Sequence, residues 1–334
     1  MDTRRFELTA SPHIKGPDST PRIMWSVVGS LAPVVGMAIY WFGPSALLVL
    51  STTTLTCVLV ERWLGPGGTL RDGSAAITGL LLGLTLPPGL PLWMAVFGSV
   101  FAMGLGKLVF GGLGQNVFNP ALLGRAFLQA AFPEDMTTWS APPSSWAQLR
   151  GDNFAMPLMS GDEIVGVTGA TPLGQMKFEQ IPTDALELFL GATGGSLGET
   201  AAIAILLGGG YLAIKKYLNW RIPVSIFATV AVLSQICHWI APERFPDAVF
   251  MLFSGGLMLG AVYMATDMVT SPTTNRGCWI FGLGIGALVV LIRLWGGLPE
   301  GVMYSVLLIN AAVPFINRAT QPRVFGSGRE AMAS

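Results

Sequence analysis

Apolar stretches near the length of a bilayer crossing follow one another through almost the whole chain, at about 23–42, 45–60, 73–86, 92–110, 119–132, 195–214, 222–240, 248–266, 279–295 and 301–316. Hydrocarbon offers no water to backbone N–H and C=O groups, so such segments have to satisfy them internally, as helices. Only 11% of the residues are charged against 51% hydrophobic, well below the ~25% charge of soluble domains. The expected fold class is an all-α polytopic membrane protein with about ten transmembrane helices. A full crossing takes about 20 apolar residues, and the third and fifth stretches fall short. They read as half-helices with irregular backbone near their ends.

The polar remainder suggests five parts: an N-terminal segment 1–22, a first membrane repeat 23–132, a loop 133–190 where charges and prolines collect, a second membrane repeat 191–317 and a tail 318–334. The run Thr78-Gly79-Leu80-Leu81-Leu82-Gly83-Leu84 is echoed by Ser254-Gly255-Gly256-Leu257-Met258-Leu259-Gly260, five stretches later. An odd offset points the copies in opposite directions, the mark of an inverted-topology repeat; ordinary small-residue helix packing accounts for the echo equally well. With the N-terminus inside, the outer loops hold only Arg150, Lys177 and Arg244, and Arg125 and Arg293 lie within spans; the other members of the 19 basic residues face the cytoplasm. That bias places both termini inside and the long loop outside.

The formal charge is zero and no basic run stands out, which removes the footprint of a nucleic-acid binder and leaves the lipid bilayer as a partner. No small-residue cleavage site follows the first apolar stretch, so no cleaved signal peptide is expected. Cys57, Cys237 and Cys278 lie far apart, unlike the clustered ligands of zinc or iron-sulfur sites, and read as packing residues. His13 and His238 have no neighbouring carboxylate or Cys pattern, and neither reads as a metal ligand.

Two sets of residues bear chemistry. Thr168, Gly169, Ala170, Thr171 and Pro172 describe a small-residue turn in the long loop with accessible hydroxyls; it fits an ordinary loop turn or a covalent attachment site. Asp72, Asn116, Asn119, Arg125, Glu199 and Asp267 sit at or inside the apolar boundaries, where a charge at a helix centre costs about 2.5–3.5 kcal/mol or more. They read either as the lining of a ligand or cation path between the repeats, or as helix caps and interfacial anchors. The capping reading is natural for Asp72, for Asn119 before Pro120, and for Asp267. Arg125 and Glu199 resist it most.

Several motifs in one order carry a family resemblance: Ser11-Pro12-His13, Asp18-Ser19-Thr20 and Arg22-Ile23-Met24; Arg71-Asp72-Gly73-Ser74-Ala75-Ala76-Ile77-Thr78-Gly79; Asn116-Val117-Phe118-Asn119-Pro120-Ala121; Thr168-Gly169-Ala170-Thr171-Pro172-Leu173; and Ala265-Thr266-Asp267 with Thr270-Ser271-Pro272. The chain resembles the NqrB/RnfD family of membrane proteins, found in the Rnf electron-transport complex and in the Na-translocating NADH:quinone reductase. The resemblance implies two inverted five-helix repeats, similar to the urea/ammonium channel-like fold, in a bacterial cytoplasmic (inner) membrane, with the Thr171 loop periplasmic. It implies FMN joined to Thr171 through a phosphoester, with Thr168, Gly169 and Ala170 as the recognition turn of a flavin transferase that uses FAD, and leaves room for a second, noncovalent flavin. Many flavinylated relatives carry Asp six residues before the modified Thr; here Val165 stands there, with Asp162 close by. The implied function is electron relay between ferredoxin and NAD, coupled to Na⁺ or H⁺ movement, with the A, B, C, E and G proteins of the Rnf complex as partners. Because no nucleotide-binding loop or cluster motif is present, the chain is expected to be inactive alone. A channel or secondary transporter of the same fold, without redox role, is the rival reading, and a structural anchor for other members of the complex is another.

Overall fold

The computed structural model describes residues 18–65, 69–139, 146–151, 153–157, 171–181, 183–191, 193–199 and 202–322, and among these it is helical with no strand. Five helices are long and apolar enough to cross a bilayer: α1 (Thr20–Phe42), α2 (Pro44–Leu64), α7 (Arg221–Ile240), α9 (Asn275–Trp295) and α10 (Val302–Thr320). Between them lie shorter pieces, α3 (Ser74–Leu84), α4 (Leu92–Met103), α5 (Pro120–Ala131), α6 (Ala202–Ile214) and the broken α8. Helix α8 runs Ala248–Phe253, stops at residues 254–256, and resumes as Leu257–Leu259 and a π turn Gly260–Met264.

The short third and fifth helices match expectation. Pro120 occupies the first turn of α5, and the Asn119 side chain accepts from the Ala121 and Leu122 N–H groups at 3.0 and 3.3 Å, a cap worth about 1 kcal/mol. Helix α3 opens at Gly73 (φ 80°), with Asp72 Oδ1 accepting from the Ser74 N–H at 2.8 Å. Two expectations fail. The sixth stretch, expected from residue 195, is not helical at 195–199, because the Leu197 and Gly198 N–H groups are taken by Leu86 O (3.1 Å) and Leu84 O (2.6 Å) at the end of α3; its helix is described from Ala202. The eighth, expected to be continuous, breaks at the glycine pair of its own motif, where Gly255 adopts φ 63°.

Packing repeats itself. Helix α2 lies against α3 and α4, and α4 against α5; likewise α7 lies against α8 and α9, and α9 against α10. The two sets meet where α1 packs on α6 and α5 on α10. The register differs from the sequence echo, since 78–84 is helix interior whereas 254–256 is the break; the left-handed glycine matching Gly255 is Gly73.

Side-chain ties define two ends. Tyr217 donates to Asp18 Oδ1 (2.7 Å), and the Thr273 N–H to Asn317 Oδ1 (3.1 Å), beside the first and last described residues. At the opposite end the loop folds back on the helix junctions. Trp146 donates to Ile39 O (3.1 Å), Arg150 to Trp41 O (3.0 Å), and Asn153 to Pro88 O (2.9 Å) and Leu90 O (3.0 Å). Gly43 joins α1 to α2 at φ 63°, so close to the Trp146 carbonyl that a Cβ would collide with it.

Candidate functional site

The break in α8 leaves two open helix ends within the bundle, each with backbone groups that need partners. Charge of the fitting sign meets each. Arg293, from the last turn of α9, donates through Nη1 to Met251 O (2.7 Å) and through Nη2 to Ser254 O (2.9 Å), covering the carbonyl end. Glu300, just ahead of α10, accepts the Gly256 N–H at 2.6 Å, covering the amide end. This is the arrangement that the helix dipole favours. A Cβ on Gly256 would meet Glu300 Oε1 at 2.5 Å and Glu199 Oε1 at 3.4 Å, so both carboxylates crowd one glycine.

Arg125, from the middle of α5, ties the cluster together. Its Nη2 donates to Glu300 Oε2 at 2.9 Å and its Nη1 lies 3.7 Å from Glu199 Oε1. Glu199 sits in the irregular segment ahead of α6, where its Oε2 faces the Ser196 N–H at 3.4 Å. Arg125 and Arg293 are 7% and 3% exposed. Two arginines and two glutamates thus form a buried cluster of zero formal charge; removing one member would strand its partner at a cost of about 3–5 kcal/mol.

Thr171 lies directly above. It caps a short helix, Pro172–Gly174 continued by a π turn Gln175–Glu179, with Oγ1 accepting from the Gly174 N–H at 3.1 Å. Leu173 packs with Leu188 and Phe250, which seats the segment on the first piece of α8. Lys177 fastens it to the end of α9 by donating to Gly296 O (2.5 Å) and Leu298 O (2.9 Å). Burial holds the Lys177 ammonium below its ordinary value. The half-buried Thr171 stands at the rim of a cavity of about 390 Å³, whose walls include Arg125, Trp139, Phe178, Tyr304 and Glu300. Small-molecule sites typically span about 300–1,000 Å³. Thr168, Gly169 and Ala170, like Val165, lie outside the described residues.

The structure therefore brings Thr171, Arg125 and Glu199 together. It separates them from Asp72, Asn116, Asn119 and Asp267, which gather at the opposite end. There Asn119 donates to Met264 O (3.2 Å) as well as capping α5, Asn116 donates to Phe118 O (3.2 Å), and Asp267 accepts from the Val269 N–H (3.3 Å) and the Thr270 hydroxyl (3.2 Å). The capping reading holds for Asn119; Asp72 accepts the first N–H of α3 from one residue ahead of its cap, and Asp267 closes a turn past the end of α8. Asn116, Asn119 and Asp267 also line a cavity of about 90 Å³. Sequence reasoning missed several partners. Glu300 and Arg293 complete the loop-end cluster, and the buried Lys107 pairs with Glu61 and Ser74 beside the smaller cavity. Glu61 and Lys107 were legible as charges at the edges of apolar stretches. Their pairing was not, because 46 residues separate them.

The comparisons with known proteins agree along nearly the whole chain. The model of the NQR2, RnfD, RnfE family matches residues 7–326. The chain is 43% identical to the D component of the proton-translocating ferredoxin:NAD(+) oxidoreductase complex of Clostridium ljungdahlii, over 97% of each chain. It is 43% identical to the D component of the ion-translocating oxidoreductase complex of Stutzerimonas stutzeri, over 92% of each. It is 38% identical to the D component of the Na(+)-translocating ferredoxin:NAD(+) oxidoreductase complex of Acetobacterium woodii, over 98% of this chain and 97% of the relative.

Proposed function

The chain belongs to the NQR2, RnfD, RnfE family, and we propose that it is the flavin-carrying membrane subunit of an ion-translocating ferredoxin:NAD(+) oxidoreductase complex, with FMN joined to Thr171 as a phosphoester. The observation that carries the flavin assignment is the position of Thr171, a helix cap lining a cavity whose wall holds three aromatic side chains and Arg125, beside the carboxylates of Glu179 and Glu300. Those residues fit the group. A phosphoryl on Oγ1 would stand at the start of the helical run 172–179, where the dipole favours an anion, and the aromatic side chains of Trp139, Phe178 and Tyr304 line the cavity that an aromatic ligand would enter. Bound FMN would supply the redox chemistry, and the protein would supply position and electrostatics. Electrons would arrive from and leave to the other Rnf proteins, A, B, C, E and G, and the flavin would be attached by a separate transferase.

The same reading takes the ten helical units as ten crossings in two inverted five-helix repeats of the urea/ammonium channel-like kind, supported by the repeated packing of α2–α5 and α7–α10. It places the chain in a bacterial inner membrane with the Thr171 end periplasmic. The reading leaves room for a second, noncovalent flavin. The rival, a channel or transporter without redox role, is favoured by one feature, the glycine break in α8.

The intact mass of the chain from its native host decides between them. An increase equal to one FMN less water, lost together with in-gel flavin fluorescence in Thr171→Val, is expected; an unshifted mass would leave the transporter.

A further inference from the structure

The cavity at Thr171 has a cation in its wall that the helix-capping scheme does not require. Glu300 and Arg293 between them satisfy both ends of the α8 break. Arg125 touches neither end. Its side chain is 7% exposed, its Nε has no hydrogen-bond partner, and it faces the same 390 Å³ cavity as Thr171. Glu300, hydrogen-bonded to Nη2, and Glu199, near Nη1, hold the guanidinium in place. A buried charge of this kind acts strongly on its surroundings, because little water screens it.

Resting on the FMN assignment above, we propose that Arg125 sets the reduction potential of a flavin held at Thr171, and that Glu300 opposes it. Reduction adds electrons to the ligand, and the negative charge that the accompanying protons leave uncompensated is stabilised by a cation in the wall. Arg125 thus makes the flavin easier to reduce, while Glu300 limits that effect. Arg125 is a positioning and electrostatic residue; the electrons pass through the flavin.

The test is a spectroelectrochemical titration of the full chain, flavinylated by coexpressed transferase, with Thr171→Val titrated in parallel to subtract any noncovalent flavin. Arg125→Gln should lower the reduced-to-oxidised ratio at a fixed potential at least tenfold, a shift of about 30 mV for a two-electron couple. Glu300→Gln, whose amide oxygen can still accept the Gly256 N–H, should move the ratio the other way. Arg125→Lys should stay close to wild type. Covalent FMN is verified by mass in every variant. An Arg125→Gln chain that carries FMN with an unmoved potential, or both Gln variants moving in one direction, would overturn the role of Arg125. Absence of FMN from the wild-type chain would overturn the FMN assignment instead. If Arg125→Gln fails to fold, the double variant Arg125→Gln/Glu300→Gln, which removes both charges together, is titrated against Glu300→Gln: a lower potential in the double variant is expected, and equal potentials would overturn the role of Arg125.

Discussion

Gly256 shows how tightly the cluster is built, because its missing Cβ is the space in which Glu300 and Glu199 approach the backbone. Gly256→Ala should push Glu300 off its N–H and lower stability by roughly 1–3 kcal/mol, the cost of a buried unsatisfied donor, read as a fall in the thermal midpoint in detergent. Glu300→Ala should cost more, about 3–5 kcal/mol, because it also strands Arg125. At this scale the sequence was half legible. Arg125 and Glu199 drew notice as charges in apolar surroundings, and Thr171 through its motif. Glu300 escaped because it precedes an apolar stretch and looks like an ordinary loop acid, and Arg293 because a basic residue in a last turn suits any helix end. That both close one helix break depends on contacts across about 40 residues.

Among the elements, local chemistry and tertiary demand can be told apart. Helix α5 follows its own residues, with Asn119 and Pro120 fixing its start, and Asn119→Ala should remove about 1 kcal/mol and speed amide exchange in its first turn. Helix α6 does not follow its residues. Its lead-in 195–199 is rich in small residues and runs straight into an apolar stretch, yet its Leu197 and Gly198 N–H groups serve the carbonyl end of α3, and no periodicity announces that exchange. The α8 break lies between. Two adjacent glycines were visible, but glycines are common in membrane helices, and only the waiting Arg293 and Glu300 make a gap cheaper than a continuous helix.

For the whole molecule, composition and the spacing of apolar stretches foretold the helical architecture of the described residues, with five helices long and apolar enough to cross a bilayer; the basic residues imply a direction for the chain. The two ends differ in the partners they offer, and direction is open to a direct check. In a Cys237→Ser background, with Cys57 and Cys278 buried, a cysteine at Phe178, which is 68% exposed, should react with an impermeant maleimide in intact spheroplasts. One at Gln321 should react only after the membrane is opened; the reverse pattern would invert the topology. Lys177 gives the Thr171 end a further property. Clamped to the carbonyls that finish α9, the segment after Thr171 is no swinging arm. On the proposed function, the attachment point of the flavin would keep a fixed address, and an electron partner would have to travel to it, so that the timing of each delivery would belong to the visitor.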